Sequence, residues 1–337
     1  MTAPGYQPSI VRLARSLGLR ASGDCLPAIR KHALGRVNAM ITRWPVRSLS
    51  DLQLLVANQL GVCLEYVRSG ADIDRIAATH PAFSPHLDRT LRLEFLTGDT
   101  EGLLLCHPHP APGDLSYLAV IDMRGERAIR GYFTVWHELS HLLVSPPQLA
   151  FEGFRRSPAT EARRKDALEH VVDDVAGLVG FFEPLFGPVL DAECAACDGR
   201  MGIAALERVR AAAAPNASFL ATALAAIRRS DEAVGFVCAT RFRKRAESSS
   251  VPPSLRIQSA IWSSRARREG IAIAQNLRVP PTSVLARVEA AQCGDELWAD
   301  EDQQWWETSA RGSLGSLPLK VAAAWRGAVT YAVVHVV

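Results

Sequence analysis

The residues with the clearest chemical potential are His137, Glu138 and His141, in the run WHELSHLL at positions 136 to 143. Residues four apart on an α-helix lie one turn apart on the same face, so both imidazoles can bind one tetrahedral cation. The spacing His-Glu-x-x-His is typical of zinc sites, and we expect one Zn²⁺ per chain. Glu138 lies beside the metal face, where its carboxylate can take a proton from water. It is therefore the predicted general base.

The sequence around this motif predicts a buried helix from about Thr134 to Val144, because almost all of its other residues are apolar. Pro146 and Pro147 would end that helix. A five-residue pattern also arises by chance, in which case His137 would be a core histidine and Glu138 a solvated charge. The apolar helix favours the metal site over that interpretation.

A catalytic site needs a third protein ligand, and the next apolar helix, at about 167 to 182, offers Glu169. Asp173 follows one turn later on the same face and could accept the N–H of a ligand histidine. His170 would point about 100° away from Glu169. Two alternatives stay open. Asp173 could be the ligand itself, or the acidic residues could form an exposed flank.

These two segments resemble the ImmA/IrrE metallopeptidases. His137-Glu138-Leu139-Ser140-His141 corresponds to the first motif of that family. The second segment, Glu169-x-x-Val172-Asp173-x-Val175-Ala176, is similar to the family's ligand helix, with valines where the family has a small residue and a phenylalanine. The resemblance covers about residues 50 to 230.

The resemblance implies an α+β fold. A mostly helical, zincin-like metallopeptidase domain with a small sheet would be followed by a smaller α/β C-terminal domain. It implies cleavage of a cytoplasmic protein, typically a helix-turn-helix repressor of stress, mobile-element or defence genes. The apolar strand YLAVIDM, at 117 to 123, could then pair with an extended substrate.

The expected domains are residues 1–240, the metallopeptidase with helical extensions, and residues 250–337, a sensor domain. The segment RFRKRAESSSVPPS, at 241 to 254, is the predicted linker. It contains a basic group that could contact single-stranded DNA: Arg241, Arg243, Lys244 and Arg245. Phe242 and Trp262 could stack on bases, although solvated charges around a linker have the same pattern. A small-molecule activator is the other expectation for this domain.

The remaining helices and strands are predicted from the spacing of apolar residues and from the positions of proline and glycine. Helices are predicted over 9–45, over 48–61 with a cap at Ser50, and over the alanine-rich stretch 203–229. Strands are predicted at 62–67, 101–108 and 116–123 and in the C-terminal run AVTYAVVHVV.

Composition excludes several classes of protein. Of the 337 residues, 48% are hydrophobic and 22% are charged, a composition typical of globular proteins. The net charge of +3 is too small to indicate nucleic-acid binding by itself. No run reaches the roughly 20 apolar residues of a membrane span, and no signal peptide is predicted. Seven scattered cysteines predict a reducing, cytoplasmic setting, and the pair Cys194 and Cys197 is interpreted as a surface loop.

Two other classes of function remain. The chain could be a ligand- or DNA-responsive regulatory protein with a mainly structural zinc site, or a DNA-binding regulator that uses the basic segment. Glu138 favours a hydrolase, because a structural zinc site has no use for a general base.

Overall fold

The structure, a computed structural model, describes residues 8–20, 23–96, 100–144, 153–156, 167–197, 199–244, 247–308 and 312–337. Its contacts divide the chain into two units. The first comprises the described residues up to Gly187 together with Ala213–Ser218, and the second comprises Pro188–Ala212 and Phe219–Val337. Each unit combines helices with a sheet, so the predicted α+β fold is confirmed.

The first unit contains seven described helices and a four-stranded sheet. The helices are α1 (Pro8–Ser16), α2 (Leu26–Arg43), α3 (Leu49–Gln59), α4 (Gly70–Thr79), α5 (Leu87–Leu96), α6 (Gly131–Val144) and α7 (Ala167–Gly180). The strands are β1 (Val62–Val67), β2 (Thr100–Cys106), β3 (Tyr117–Asp122) and β4 (Gly153–Arg156). A 3₁₀ turn at Gly125–Arg130 leads into α6, and α8 (Glu183–Ala195) contains the point at which the two units divide.

The sheet order is β1-β3-β2-β4, with β1 parallel to β3 and β2 antiparallel to both of its neighbours. Side chains alternate between its two faces. Leu103, Leu118 and Val120 pack with α4 and α5 in one apolar core. Gly102, one position away from Leu103, faces α6 instead. The sheet therefore separates α6 from the pair α4 and α5.

Strand β3 has a neighbour on each side, which overturns the expectation that YLAVIDM adds a substrate strand. Its backbone groups are already used by β1 and β2. The continuous apolar run indicates burial on both faces of an internal strand, and it does not indicate an edge. Among the described strands, β1 and β4 form the edges of this sheet.

Helix α6 is fixed by close contacts with its neighbours. Arg36 of α2 donates to the carbonyl oxygens of Leu142 and Leu143 at 2.7 and 2.9 Å, which satisfies two carbonyls in the last turn of α6. Gly180, at the end of α7, lies so near Trp136 that a Cβ there would stand 2.8 Å from the indole. Only glycine permits this approach of α7 to α6.

The predicted helices need three corrections. The 9–45 helix is two helices, α1 and α2, and Gly18 after α1 has the left-handed φ of +70° that ends a helix. The cap of α3 is Ser48, whose Oγ accepts from the Asp51 N–H at 3.0 Å, and Ser50 is exposed inside the helix. The 203–229 stretch is also two helices, with Pro215 in the break.

The second unit is a five-stranded antiparallel sheet with helices on both faces. Its strands are β5 (Val234–Phe242), β6 (Ser254–Trp262), β7 (Leu297–Asp302), β10 (Pro318–Arg326) and β11 (Val329–Val336), in the order β6-β5-β11-β10-β7. The short strands β8 (Glu307–Thr308) and β9 (Gly312–Ser313) pair separately. Its helices are α9 (Ile203–Ala213), α10 (Phe219–Arg229), α11 (Ser264–Arg268) and α12 (Val284–Ala290), with a 3₁₀ turn at Gln303–Trp305.

The two faces of this sheet have different partners. On one face, Val237, Val321 and Val334 pack with residues of α12 and with buried Trp306. On the other, Phe236 and Tyr331 form ring contacts with Phe219 of α10. Both faces are therefore covered.

The predicted linker does not separate two domains. Strands β5 and β6 pair as a hairpin, with Arg241 opposite Leu255 and Phe242 opposite Ser254, so the segment 241–254 forms the strand ends and the turn. The second unit also starts far earlier than residue 250, at Pro188. Serines, prolines and basic residues are as typical of a hairpin turn as of a linker, which explains why composition misplaced the division.

Within the part of the chain that the structure describes, no single helix is long and apolar enough to cross a membrane. One pair of helices, Ala167–Gly180 with Glu183–Ala195, passes that test only jointly and bends at the break between them.

The cap of α3 provides a direct test of this local structure. Ser48→Ala should lower the free energy of unfolding by about 1 kcal/mol, because the Asp51 N–H loses its acceptor. Ser50→Ala is the matched control and should change it by less than about 0.5 kcal/mol. Urea titrations of both variants would decide between the caps, and a larger loss in Ser50→Ala would contradict the structure.

Candidate metal centre

Helices α6 and α7 bring together two imidazoles and a carboxylate. The Nε2 atoms of His137 and His141 lie 3.1 Å apart. Glu169 places one carboxylate oxygen 3.2 Å from His137 Nε2 and the other 3.7 Å from His141 Nε2. These three residues therefore form a candidate metal site.

The separations match those that a tetrahedral cation requires. With bonds of about 2.0–2.1 Å, two ligand atoms on a tetrahedral ion lie about 3.3 Å apart. The three observed distances between ligand atoms, 3.1, 3.2 and 3.7 Å, lie on either side of about 3.3 Å. The histidines are 1% and 3% exposed, and the side chain of Glu169 is 32% exposed, so the site is buried on the α6 side and reaches solvent beside α7. The residues present thus fit a bound divalent cation.

Asp173 lies behind the ligand set and not within it. The Nδ1–H of His137 donates to its Oδ1 at 2.9 Å. With a metal ion bound, this hydrogen bond would hold a proton on Nδ1 and leave the Nε2 lone pair for the ion. Of the two acidic candidates, the structure brings Glu169 to the Nε2 atoms of both histidines and Asp173 to the Nδ1 atom of His137.

The charge on Glu169 is stabilised by the histidines. Burial alone would raise the pKa of this carboxyl group, but the hydrogen bond with His137 and the charges of His141 and His137 lower it more, and the net effect is a pKa below its ordinary value. The carboxylate is consequently ionised at neutral pH, the form that a metal ligand needs.

Glu138 is 0% exposed and points toward strand β2. A Cβ added to Gly102 of that strand would stand 2.7 Å from Glu138 Oε1 and 2.6 Å from the Thr134 methyl. The absence of a side chain at Gly102 therefore leaves the space that the Glu138 carboxylate occupies. Sequence reasoning missed Gly102, and its only signal was a glycine inside an otherwise apolar strand.

The other acidic and histidine candidates lie apart from the metal ligands. His170 is exposed, as its helical position predicts. Asp174 accepts two hydrogen bonds from Arg30 of α2, one of them at 2.6 Å, so α7 is tied to α2. Sequence reasoning did not foresee this contact, which spans 144 residues of chain.

The sequence of the chain matches no protein-family model and no curated protein. Assignments beyond the candidate metal site therefore rest on the chemistry of the residues and on the resemblance of the two motif segments.

The predicted nucleic-acid residues differ in their surroundings. The guanidinium of Arg241 donates two hydrogen bonds to the Glu289 carboxylate, one from Nε and one, of 2.8 Å, from Nη2. The backbone N–H of Lys244 donates to Glu247, whereas Arg243 is exposed and Arg245 lies outside the described residues. Trp262 is packed against the core of the second unit and donates to the Ile273 carbonyl.

The second unit contains a cavity of about 290 Å³, lined by Trp298, Arg200 and Lys320 among others. Trp298 is 39% exposed and stacks on His335. Cys197 also lines this cavity, and its sulfur accepts from Arg208 at 2.6 Å. The Cys194–Cys197 segment is thus at the end of α8 and in the turn after it, partly exposed.

The assignment of the third ligand can be tested by metal content. Glu169→Ala should remove one equivalent of divalent metal per chain, because two imidazoles alone bind weakly. Asp173→Asn should keep the ligand set but weaken metal affinity by about 10–100-fold, because the charged partner of His137 is lost. Elemental analysis and competition with a chelating dye measure both.

His170→Ala, on the exposed face of the same helix, is the control and should bind metal like wild type. Full metal content in Glu169→Ala, with loss in Asp173→Ala, would reassign the ligand to Asp173.

Proposed function

We propose that this chain is a zinc-dependent endopeptidase that acts on a cytoplasmic protein, with a helix-turn-helix transcriptional repressor as the substrate. Zinc is supported by the donor set, since two histidines and one glutamate with a position left for water are a known catalytic zinc ligand set. His137, His141 and Glu169 would hold the ion. The substrate class is supported by the likeness of the two motif segments to the ImmA/IrrE metallopeptidases.

The observation that carries the proposal is the complete burial of Glu138 on the helix that holds both histidines. Burying the carboxylate of Glu138 costs free energy. A purely structural metal site does not need a carboxylate at this position, so nothing would offset that cost. An apolar residue at this position would pack better against β2. A general base at position 138 explains why a carboxylate is there.

Each residue then has a separate task. Zinc, when bound, supplies a Lewis acid that polarises the scissile carbonyl and acidifies water. Glu138 accepts the proton of the attacking water and can return it to the leaving amine. Asp173 holds His137 in the tautomer that presents Nε2, and Gly102 leaves room for the base.

The general base is tested by Glu138→Gln, which keeps the shape but cannot accept a proton. The variant should retain its metal and fold while losing peptidase activity by about 10²–10⁴-fold. Glu126→Gln, at an exposed position of the 3₁₀ turn, is the control and should cleave normally. The measurement is the appearance of new protein N-termini in a cell lysate after addition of each zinc-loaded chain.

The same experiment identifies the substrate without assuming it. N-termini that appear with wild type and with Glu126→Gln, but not with Glu138→Gln, come from true substrates. Cleavage of a helix-turn-helix protein supports the proposed substrate class, and cleavage of other proteins alone supports a peptidase with a different target. Equal cleavage by Glu138→Gln would refute the hydrolytic role.

The placement of the base is tested by Gly102→Ala. The new methyl group would meet the Glu138 carboxylate and the Thr134 methyl, so the carboxylate must move. A displacement of this kind should lower kcat by roughly 10–100-fold with metal content unchanged. Gly35→Ala is the control, since Gly35 is an exposed helical glycine with nothing within 4 Å of its added Cβ. Full activity in Gly102→Ala would show that the base tolerates displacement.

A second candidate function, a ligand-responsive regulatory unit, is favoured by the cavity of the second unit. The lining combines two cationic side chains, Arg200 and Lys320, with the carboxylate of Glu296 and the indole of Trp298, which suits a small aromatic ligand that carries both charges. In a thermal-shift screen of small aromatic acids and nucleotides, a ligand of this cavity should stabilise wild type but not Trp298→Ala. Trp305→Ala is the matched control, because Trp305 is 40% exposed and is not among the cavity residues. Stabilisation that survives in Trp298→Ala would place the ligand elsewhere.

A further inference from the structure

A second group of metal-binding side chains lies on the opposite face of the first sheet. Cys63 and Glu65 are two residues apart on β1, so they point to the same side. Cys63 packs against the core that β1 shares with α4 and α5. His80, which directly follows α4, completes the group. None of these residues takes part in the proposed peptidase chemistry.

The three donor atoms converge on one point. His80 Nε2 is 3.0 Å from Glu65 Oε1 and 3.9 Å from Cys63 Sγ, and all three atoms lie within 4.8 Å of one another. Zinc bonds of about 2.3 Å to sulfur and 2.0–2.1 Å to nitrogen or oxygen would separate N from O by about 3.3 Å and S from N by about 3.6 Å. The two distances from His80 Nε2, 3.0 Å to Glu65 and 3.9 Å to Cys63, each differ from these values by about 0.3 Å, which side-chain rotation can supply.

Charge and burial are compatible with a cation there. Arg75 donates to the other oxygen of Glu65 at 2.9 Å and lies 3.9 Å from Asp72. With Cys63 as a thiolate, these groups sum to −2, which one divalent cation neutralises. The side chains of His80 and Glu65 are only 11% and 15% exposed. Burial raises the pKa of the Cys63 thiol, so a metal ion must displace its proton on binding.

We propose that Cys63, Glu65 and His80 bind a second divalent transition-metal ion, of the zinc class, separate from the ion held by His137, His141 and Glu169. A thiolate with an imidazole selects zinc or cobalt over magnesium and calcium, which prefer oxygen ligands. The ion would join strand β1 to the end of α4. The chain then carries two metal ions, not the one that the His-Glu-x-x-His motif predicts.

The experiment uses the full chain and separates the two sites. Wild type saturated with Zn²⁺ and freed of excess metal should hold two equivalents per chain. Glu169→Ala and Cys63→Ser should each hold one, and the double variant none. After exchange with Co²⁺, the near-ultraviolet charge-transfer absorption of a cobalt–thiolate bond should appear in wild type and in Glu169→Ala, and be absent in Cys63→Ser.

Cys106→Ser is the matched control, because Cys106 is another half-buried cysteine of the same sheet and should leave both readouts unchanged. Since Cys63→Ser could disturb folding, alkylation of wild type supplies an independent measurement. Zn²⁺ should protect Cys63 from iodoacetamide, as mapped by mass spectrometry, and should leave the alkylation of Cys106 unchanged.

The outcomes distinguish this proposal from the peptidase proposal. A single equivalent that is lost in Glu169→Ala, with no cobalt–thiolate absorption and no protection of Cys63, would overturn the second site and leave the first intact. A single equivalent that is lost in Cys63→Ser would support the second site and argue against metal binding at the first.

Discussion

The first unit depends on one constraint, which is that α6 buries ionisable side chains. His137, Glu138 and His141 are each at most 3% exposed, and a polar or charged group in such a place is unfavourable without partners. The partners of the histidines come from α7, where Asp173 bonds His137 and Glu169 faces both Nε2 atoms. The position of α7 relative to α6 is therefore decided by electrostatics as well as by apolar packing.

The neighbouring elements can be understood as supports for that pair of helices. Arg36 and Arg30 of α2 hold the end of α6 and the acidic face of α7, respectively. Two glycines lie where any side chain would collide with a residue of α6, namely Gly180 beside Trp136 and Gly102 beside Glu138. A site that needs accurate placement gains from such rigid surroundings, because small displacements of a base or ligand cost large factors in rate.

The second unit follows a different principle, in which a sheet is covered on both faces. Its buried charges are local anchors, as in Glu301, which accepts from Ser283 and from the N–H of Val284 at the start of α12. Burial raises the pKa of Glu301 despite these hydrogen bonds, which indicates how apolar its surroundings are. The exposed tryptophan and the cationic residues instead surround the cavity. The features suited to ligand binding are thus outside the main apolar core.

Local periodicity was sufficient to predict α6, α7, β1 and the C-terminal strand within a few residues, because each has a strong apolar pattern and clear breakers. The pairing of His137 with His141 follows in the same way, since four-residue spacing on a helix fixes their relation. Residue type alone does not fix the caps and breaks. Ser48 and Ser50 are both acceptable caps by residue type, and only the Asp51 N–H shows which one acts.

Tertiary structure alone decided the contacts between segments that are distant in sequence. Whether Glu169 or Asp173 faces the histidines depends on how α7 is rotated against α6, and one residue's rotation on a helix is about 100°. The internal place of β3 and the pairing of β5 with β6 depend on hydrogen bonds between strands, which leave no signature in either strand alone. The same holds for the cluster of Cys63, Glu65 and His80, because a strand and the end of a helix meet only after the sheet is formed.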